Sequence, residues 1–114
     1  MPYRQREIVL LPVPFTDLSE AKHRPALVLS NSTHNRSSPD VVVAAITSSG
    51  RPSRYRLRIT SGDLDGGTLP RDSFVCIDKL YTILAEKVIR QYAVLTATAY
   101  ERVTEAIGRL IQPG

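Results

Sequence analysis

The chain has 114 residues, 42% of them apolar and 23% charged, enough for one hydrophobic core and too few for two. Fifteen Lys and Arg stand against 11 Asp and Glu, and the net charge of +4 admits a polyanionic partner without requiring one. The single cysteine, Cys76, excludes an internal disulfide, no run approaches the roughly 18 apolar residues of a membrane helix, and the proline-broken opening MPYRQREIVLLPVPF does not read as a signal peptide. One cytoplasmic domain spanning residues 1–114 is the expectation.

EIVLLPVPF, Glu7 to Phe15, is the first strand candidate. Pro12 and Pro14 lack the N–H that a central strand needs, so this strand is expected at a sheet edge or to end early. Thr16 to His23 is polar without a period and reads as a loop. PALVLSN and DVVVAAITS are β-branched runs between turn residues, the pattern of buried strands, joined by the polar connection NSTHNRSSPD. RYRLRIT, Arg54 to Thr60, alternates strictly, with Arg54, Arg56 and Arg58 on one face. SGDLDGGTLPRD is turn chemistry, SFVCIDKLYTI is another strand, and a short one is expected around KVIRQYAVL. From Thr96 the period becomes helical, with Ala99, Val103, Ala106, Ile107, Leu110 and Ile111 near one face and Thr96 or Thr98 as the cap. These elements predict a mainly β chain, a small antiparallel barrel or roll of about six strands closed by one C-terminal α-helix.

Metal and cofactor chemistry find no support, since two histidines and one cysteine offer no ligand spacing. DLDGG is a turn rather than a calcium loop, because counting from Asp63 the twelfth position is Phe74 and not a bidentate Glu. Cys76, between Val75 and Ile77, reads as a buried and inert thiol. The arginines 54, 56 and 58, with Arg51 nearby, fit either a solvated strand face or a phosphate track with Tyr55 or Tyr81 available for base stacking. If the runs beginning at Arg24 and ending at Thr47 pair antiparallel, Arg24 meets the hydroxyls of Thr47 and Ser48 at one rim of the sheet. A guanidinium fork with hydroxyl donors suits a phosphodiester; a plain strand-end cap is the competing account.

The order IVLLPVPFTD…KHRPALVLSN…PDVVVAAITS…LPRDSFVCIDKLYTI…LTATAYERVTEAI resembles the MazF/PemK-like family of type II toxin–antitoxin ribonucleases, from about Arg6 to Ile111. RPALVLS and AAITS are its most specific parts. The resemblance implies an SH3-like (CcdB/PemK-type) antiparallel barrel with a C-terminal helix, a homodimer, metal-independent cleavage of single-stranded mRNA, and inhibition by a cognate antitoxin. It places the family's essential arginine on Arg24 and its threonine on Thr47, with Ser48 beside it. In one branch an aspartate contributes, and it falls on Asp78; that branch's arginine two residues earlier is Cys76 here. Gln5-Arg6-Glu7 stands where many members have Gly-Asp or Gly-Glu, and Ala93 replaces a glycine before the final helix.

RNA carries its own nucleophile, the 2′-OH, so such an enzyme must supply a proton acceptor, a proton donor and charge stabilisation for the phosphorane. Arg24 suits the last task, and Thr47 and Ser48 can donate to the same oxygens. His23 is the residue type best suited to acid–base work at neutral pH, yet neighbours in a strand point to opposite faces. Arg51, Arg54, Arg56 and Arg58 are the candidate RNA-binding residues. The same barrel also serves CcdB-like proteins that bind gyrase, and a non-catalytic member binding only RNA or antitoxin is a third expectation.

Overall fold

The computed structural model describes residues 3–13, 22–69 and 71–114. The strands are β1 (Glu7–Val13), β2 (Lys22–Val28), β3 (Asp40–Thr47), β4 (Arg56–Ile59), β5 (Leu64–Gly67), β6 (Ser73–Leu84) and β7 (Arg90–Leu95); the helices are α1 (Ser32–Ser37) and α2 (Ala97–Ile111). The strands form one curled antiparallel sheet in the order β4-β6-β3-β2-β1-β7-β5. One strand more than the sequence predicts arises because Leu64–Gly67, read as turn, pairs with β7.

The apolar runs of β1, β2 and β3 are continuous because both faces of the sheet are covered there. On one face Ile8, Leu27, Ala44 and Ile46 join Ile59, Val75, Ile77 and Leu95 beneath Ala99, Val103 and Ala106 of α2. On the other, Val9, Leu11, Ala26, Val28, Val41 and Val43 form a second cluster with Val88, flanked by Tyr3, Tyr81 and Ile83. Thr96, rather than Thr98, caps α2, its Oγ1 accepting from the Ala99 N–H at 3.1 Å. The apolar stripe of that helix ends before Ile111, which is 72% exposed.

β1 is not an edge strand; it lies between β2 and β7. Its proline is accommodated locally instead. The Leu10 carbonyl accepts from Ile89 N–H, so Pro12, two residues on, directs its missing N–H to the same flank, where pairing with β7 has already ended at Leu10–Arg90. Pro14, Phe15 and the polar segment 16–21 lie outside the described residues.

Two further expectations need correction. The alternation from Arg54 to Thr60 shortens to Arg56–Ile59, with Arg54 and Tyr55 in a turn. The polar connection before β3 holds α1, capped by the Asn31 side chain and tied down by buried Asn35, whose amide donates to the carbonyls of Tyr3 and Ser30. Arg6 holds φ at +79° where the family resemblance leads one to expect glycine; its guanidinium bonds the Leu95 carbonyl and Asp65, ties that hold the strained residue in place.

Candidate active site

Two backbone irregularities open the sheet at the end of β3. The β2–β3 register pairs Ala26 with Ala45 and Leu27 with Ala44, and Leu29 N–H donates to Val42. Odd-numbered residues of β2 therefore present their backbone to β3, and Pro25 reaches that flank with no N–H to give. The ladder stops there. Carried two residues further, the same register sets Arg24 opposite Thr47. On the other flank, β3 advances from Ala44 to Ile46 while β6 runs from Leu80 back to Val75, a bulge that throws residues 76–79 out of step. On its opposite flank β6 stays in register, Ile77 N–H bonding the Tyr55 carbonyl at 2.8 Å.

The space so opened is a cavity of about 240 Å³ lined by Arg24, Thr47, Ser49, Arg56, Cys76 and Lys79, among others. Thr47 Oγ1 accepts from Ser49 N–H at 3.2 Å and lies 3.1 Å from the Ser49 hydroxyl, so its oxygen is held in place. Arg56 donates to the Ser49 carbonyl at 3.0 Å and braces this turn from β4. A side chain at Gly50, which holds φ at +104°, would collide with that guanidinium. Arg24, Arg56 and Lys79 thus line one cavity with the hydroxyls of Thr47 and Ser49, and no carboxylate lines it among the described residues. Arg24, half-buried, forms no ion pair with any described residue.

Arg24 also borders a second, larger cavity of about 770 Å³, on the other side of the strand pair. His23, Pro25 and Ser48 line it, as strand alternation requires of the neighbours of Arg24 and Thr47. Ser48 is therefore not beside Thr47; the hydroxyl that is belongs to Ser49.

The profile of the family described as "PemK-like, MazF-like toxin of type II toxin-antitoxin system" matches residues 4–111. The chain belongs to this family. The Mycobacterium tuberculosis toxin MazF-mt6 superposes with a TM-score of 0.77 at 26% identity, over 96% of this chain and 99% of that one. MazF from Deinococcus radiodurans gives 0.79 at 19% identity, over 99% of each chain. A mycobacterial endoribonuclease in complex with its cognate antitoxin gives 0.78 at 19%, over 98% of each, a likeness of fold. No curated relative matches the chain.

Against the MazF/PemK pattern, the remaining candidates divide clearly. Asp78 is exposed and lines neither cavity, the bulge carrying Cys76 and Lys79 toward Thr47 in its place. The Cys76 thiol is 2% exposed and pushed up by burial, with Arg56 and Lys79 opposing, which leaves it protonated and inert. Arg56 pairs directly opposite Cys76, so a guanidinium reaches the cavity from β4. Of the other arginines, Arg51 and Arg54 are exposed, and Arg58 is 2.6 Å from Asp72 in a surface ion pair. Tyr81 packs on the second core cluster and Tyr55 lines neither cavity; the ring in the larger one is Tyr92. Ser49 and Lys79 escaped sequence reasoning because only the turn and the bulge bring them to Thr47.

No helix among the described residues is long and apolar enough to cross a membrane.

Proposed function

We propose that this toxin is a metal-independent endoribonuclease that cuts single-stranded mRNA in the cytoplasm, as a homodimer, and is held in check by a cognate antitoxin. The observation carrying this reading is the convergence of Arg24 and Thr47 on one cationic cavity free of carboxylates among the described residues. Family membership supports it, as does the neighbour described as an endoribonuclease in complex with its cognate antitoxin.

In this mechanism the RNA 2′-oxygen attacks the adjacent phosphorus, the bond to the 5′-oxygen breaks, and a 2′,3′-cyclic phosphate is left. The 2′-OH loses a proton and the departing 5′-oxygen gains one. Arg24 spans two phosphoryl oxygens, and its charge offsets the one that builds on the phosphorane. Thr47, its oxygen held by the Ser49 N–H, donates to the same group when the Ser49 hydroxyl is the donor of their 3.1 Å contact. Arg56 and Lys79 add positive potential. Ser48 and His23 approach the phosphate only from the Arg24 side of the larger cavity. Arg51, Arg54, Arg56 and Arg58 form the approach track for flanking phosphates; replacing the exposed Arg51 and Arg54 lowers the salt slope of RNA binding by about one to two.

The deciding assay incubates the pure protein with single-stranded RNA in EDTA. Defined fragments with 5′-hydroxyl ends are expected from the wild type and none from Arg24→Ala. Intact RNA with the wild type overturns the assignment, and stalled gyrase–DNA complexes point instead to a CcdB-like toxin.

A further inference from the structure

The larger cavity has a chemistry of its own. Its wall away from Arg24 is the start of β7, where Arg90, Gln91 and Tyr92 follow one another, and Arg71 faces it from the β5–β6 connection. The Arg90 guanidinium lies 5.2 Å from the centroid of the Tyr92 ring, so a cation and an aromatic face form one unit. Tyr92 is half-buried against the core beneath α2, which fixes the ring. Burial also pushes its phenol up, with Arg90 partly opposing, so the hydroxyl stays neutral. Arg24, Arg71 and Arg90 give the cavity three guanidinium groups, and no carboxylate lines it among the described residues.

Three cations alone suit any polyanion. A ring with a guanidinium over it suits a flat π-system, and the exposed Gln91 carboxamide, which gives one N–H to the Ala93 carbonyl at 3.4 Å, keeps its second N–H and its oxygen for a base. A cavity of about 770 Å³ has room for a nucleoside. We infer that it is a nucleobase subsite: with the scissile phosphate on Arg24, one flanking base stacks on the Arg90–Tyr92 unit and is read by Gln91. This rests on the RNA-cleavage reading above and adds to it a place where sequence is recognised.

The test uses Gln91→Ala, Arg90→Ala and Tyr92→Leu, with Tyr92→Phe as the ring-preserving control and circular dichroism melting to establish folding. Each protein cuts a randomised single-stranded RNA pool, and the cut sites are mapped from their 5′-hydroxyl ends. The expected result is loss of preference at one position flanking the cut, by about fivefold or more, with the other positions unchanged and Tyr92→Phe like wild type. Wild-type preferences in all variants overturn the subsite. A second arm measures binding to a labelled mixed-sequence 2′-deoxy pool, which lacks the internal nucleophile. Binding weaker by about tenfold in Tyr92→Leu and Arg90→Ala supports the subsite. Equal binding overturns it and leaves the cavity to another occupant, such as an acidic peptide. A wild type that cuts nothing refutes the ribonuclease assignment alone, since the 2′-deoxy arm still decides the subsite.

Discussion

The two cavities that meet at Arg24 differ in what fills them. The smaller has Thr47, Ser49, Arg56 and Lys79, hydroxyls and cations set by a turn and a bulge. The larger is cationic too, through Arg24, Arg71 and Arg90, but adds a histidine, an aromatic ring and an exposed amide, carried on β2 and β7. Strand alternation makes the division, since residues adjacent in sequence pass to opposite faces: His23 and Arg24, Thr47 and Ser48. Arg24 alone of the four borders both spaces. The lesson is that in a consecutive pair such as His-Arg only one member reaches both spaces. On the proposed reading, the chemistry belongs to the face shared by Arg24 and Thr47, and recognition to the other.

The sharpest way to break that division is at Arg24 itself. Arg24→Ala is expected to lower kcat by about 10³-fold, since it removes a bidentate charged donor from the phosphorane. The fold is expected to survive, because the position forms no ion pair with a described residue and its backbone stays paired with Leu11. Arg24→Lys restores charge without the fork and recovers only part of the rate. Single-turnover cleavage of a defined RNA reads all three proteins; Arg24→Ala at a tenth of wild-type rate or more sinks the assignment.

Next in size is an effect confined to the larger cavity. Gly67 borders it with φ at +81°, and a Cβ there would run into the Tyr92 carbonyl of the paired strand. Gly67→Ala is expected to cost about 2–3 kcal/mol, from the strained φ and the displaced β5–β7 ladder together. Gly66→Ala, whose Cβ would meet nothing within 4 Å, is the neutral neighbour. Thermal melting separates them by roughly 10–20 °C. Equal melting temperatures would mean that β5 does not hold the β7 wall.

Much of this was legible in the sequence. The buried runs of β2 and β3, the period of α2 and the meeting of Arg24 with Thr47 follow from apolar pattern and antiparallel pairing alone. Pro12 allowed an edge strand or an early end, and the ladder with β7 does end at Leu10; a residue pattern does not reveal which flank a missing N–H faces. The bulge in β6 was hidden too, since SFVCIDKLYTI looks regular while its register against β3 is not. Ser48 was preferred to Ser49 because the turn returning Ser49 to Thr47 depends on Gly50 and Arg56, residues with no visible link in the chain.

A pair of substitutions tests the division directly. Thr47→Val removes the hydroxyl at similar volume and is expected to lower kcat by about 30-fold with little change in KM. His23→Ala, on the other face, is expected to change kcat less than threefold. A larger loss at His23 than at Thr47 would move acid–base chemistry to the larger cavity and reverse the division.

The smallest expected effect compares the two faces through their half-buried phenols. Burial pushes the Tyr81 phenol, against the second core cluster, from 10.0 up to about 12. Tyr92 and Tyr100, on the α2 side, are also raised by burial, but Arg90 opposes the first and a hydrogen bond with Gln5 the second. An unfolded tyrosine releases its proton near pH 10 while folded Tyr81 keeps it to about 12, so the unfolded state binds fewer protons in that window and stability falls as pH rises. The contribution is fully present below pH 10 and is lost through pH 12, on the order of 1–2 kcal/mol once partial solvent access is allowed for. Tyr81→Phe removes the titrating group and should flatten denaturant stability across this range more than Tyr92→Phe does. If the two variants flatten it equally, the face beneath Thr47 is no drier than the face beneath α2, and the bulge in β6 admits water to the core it borders.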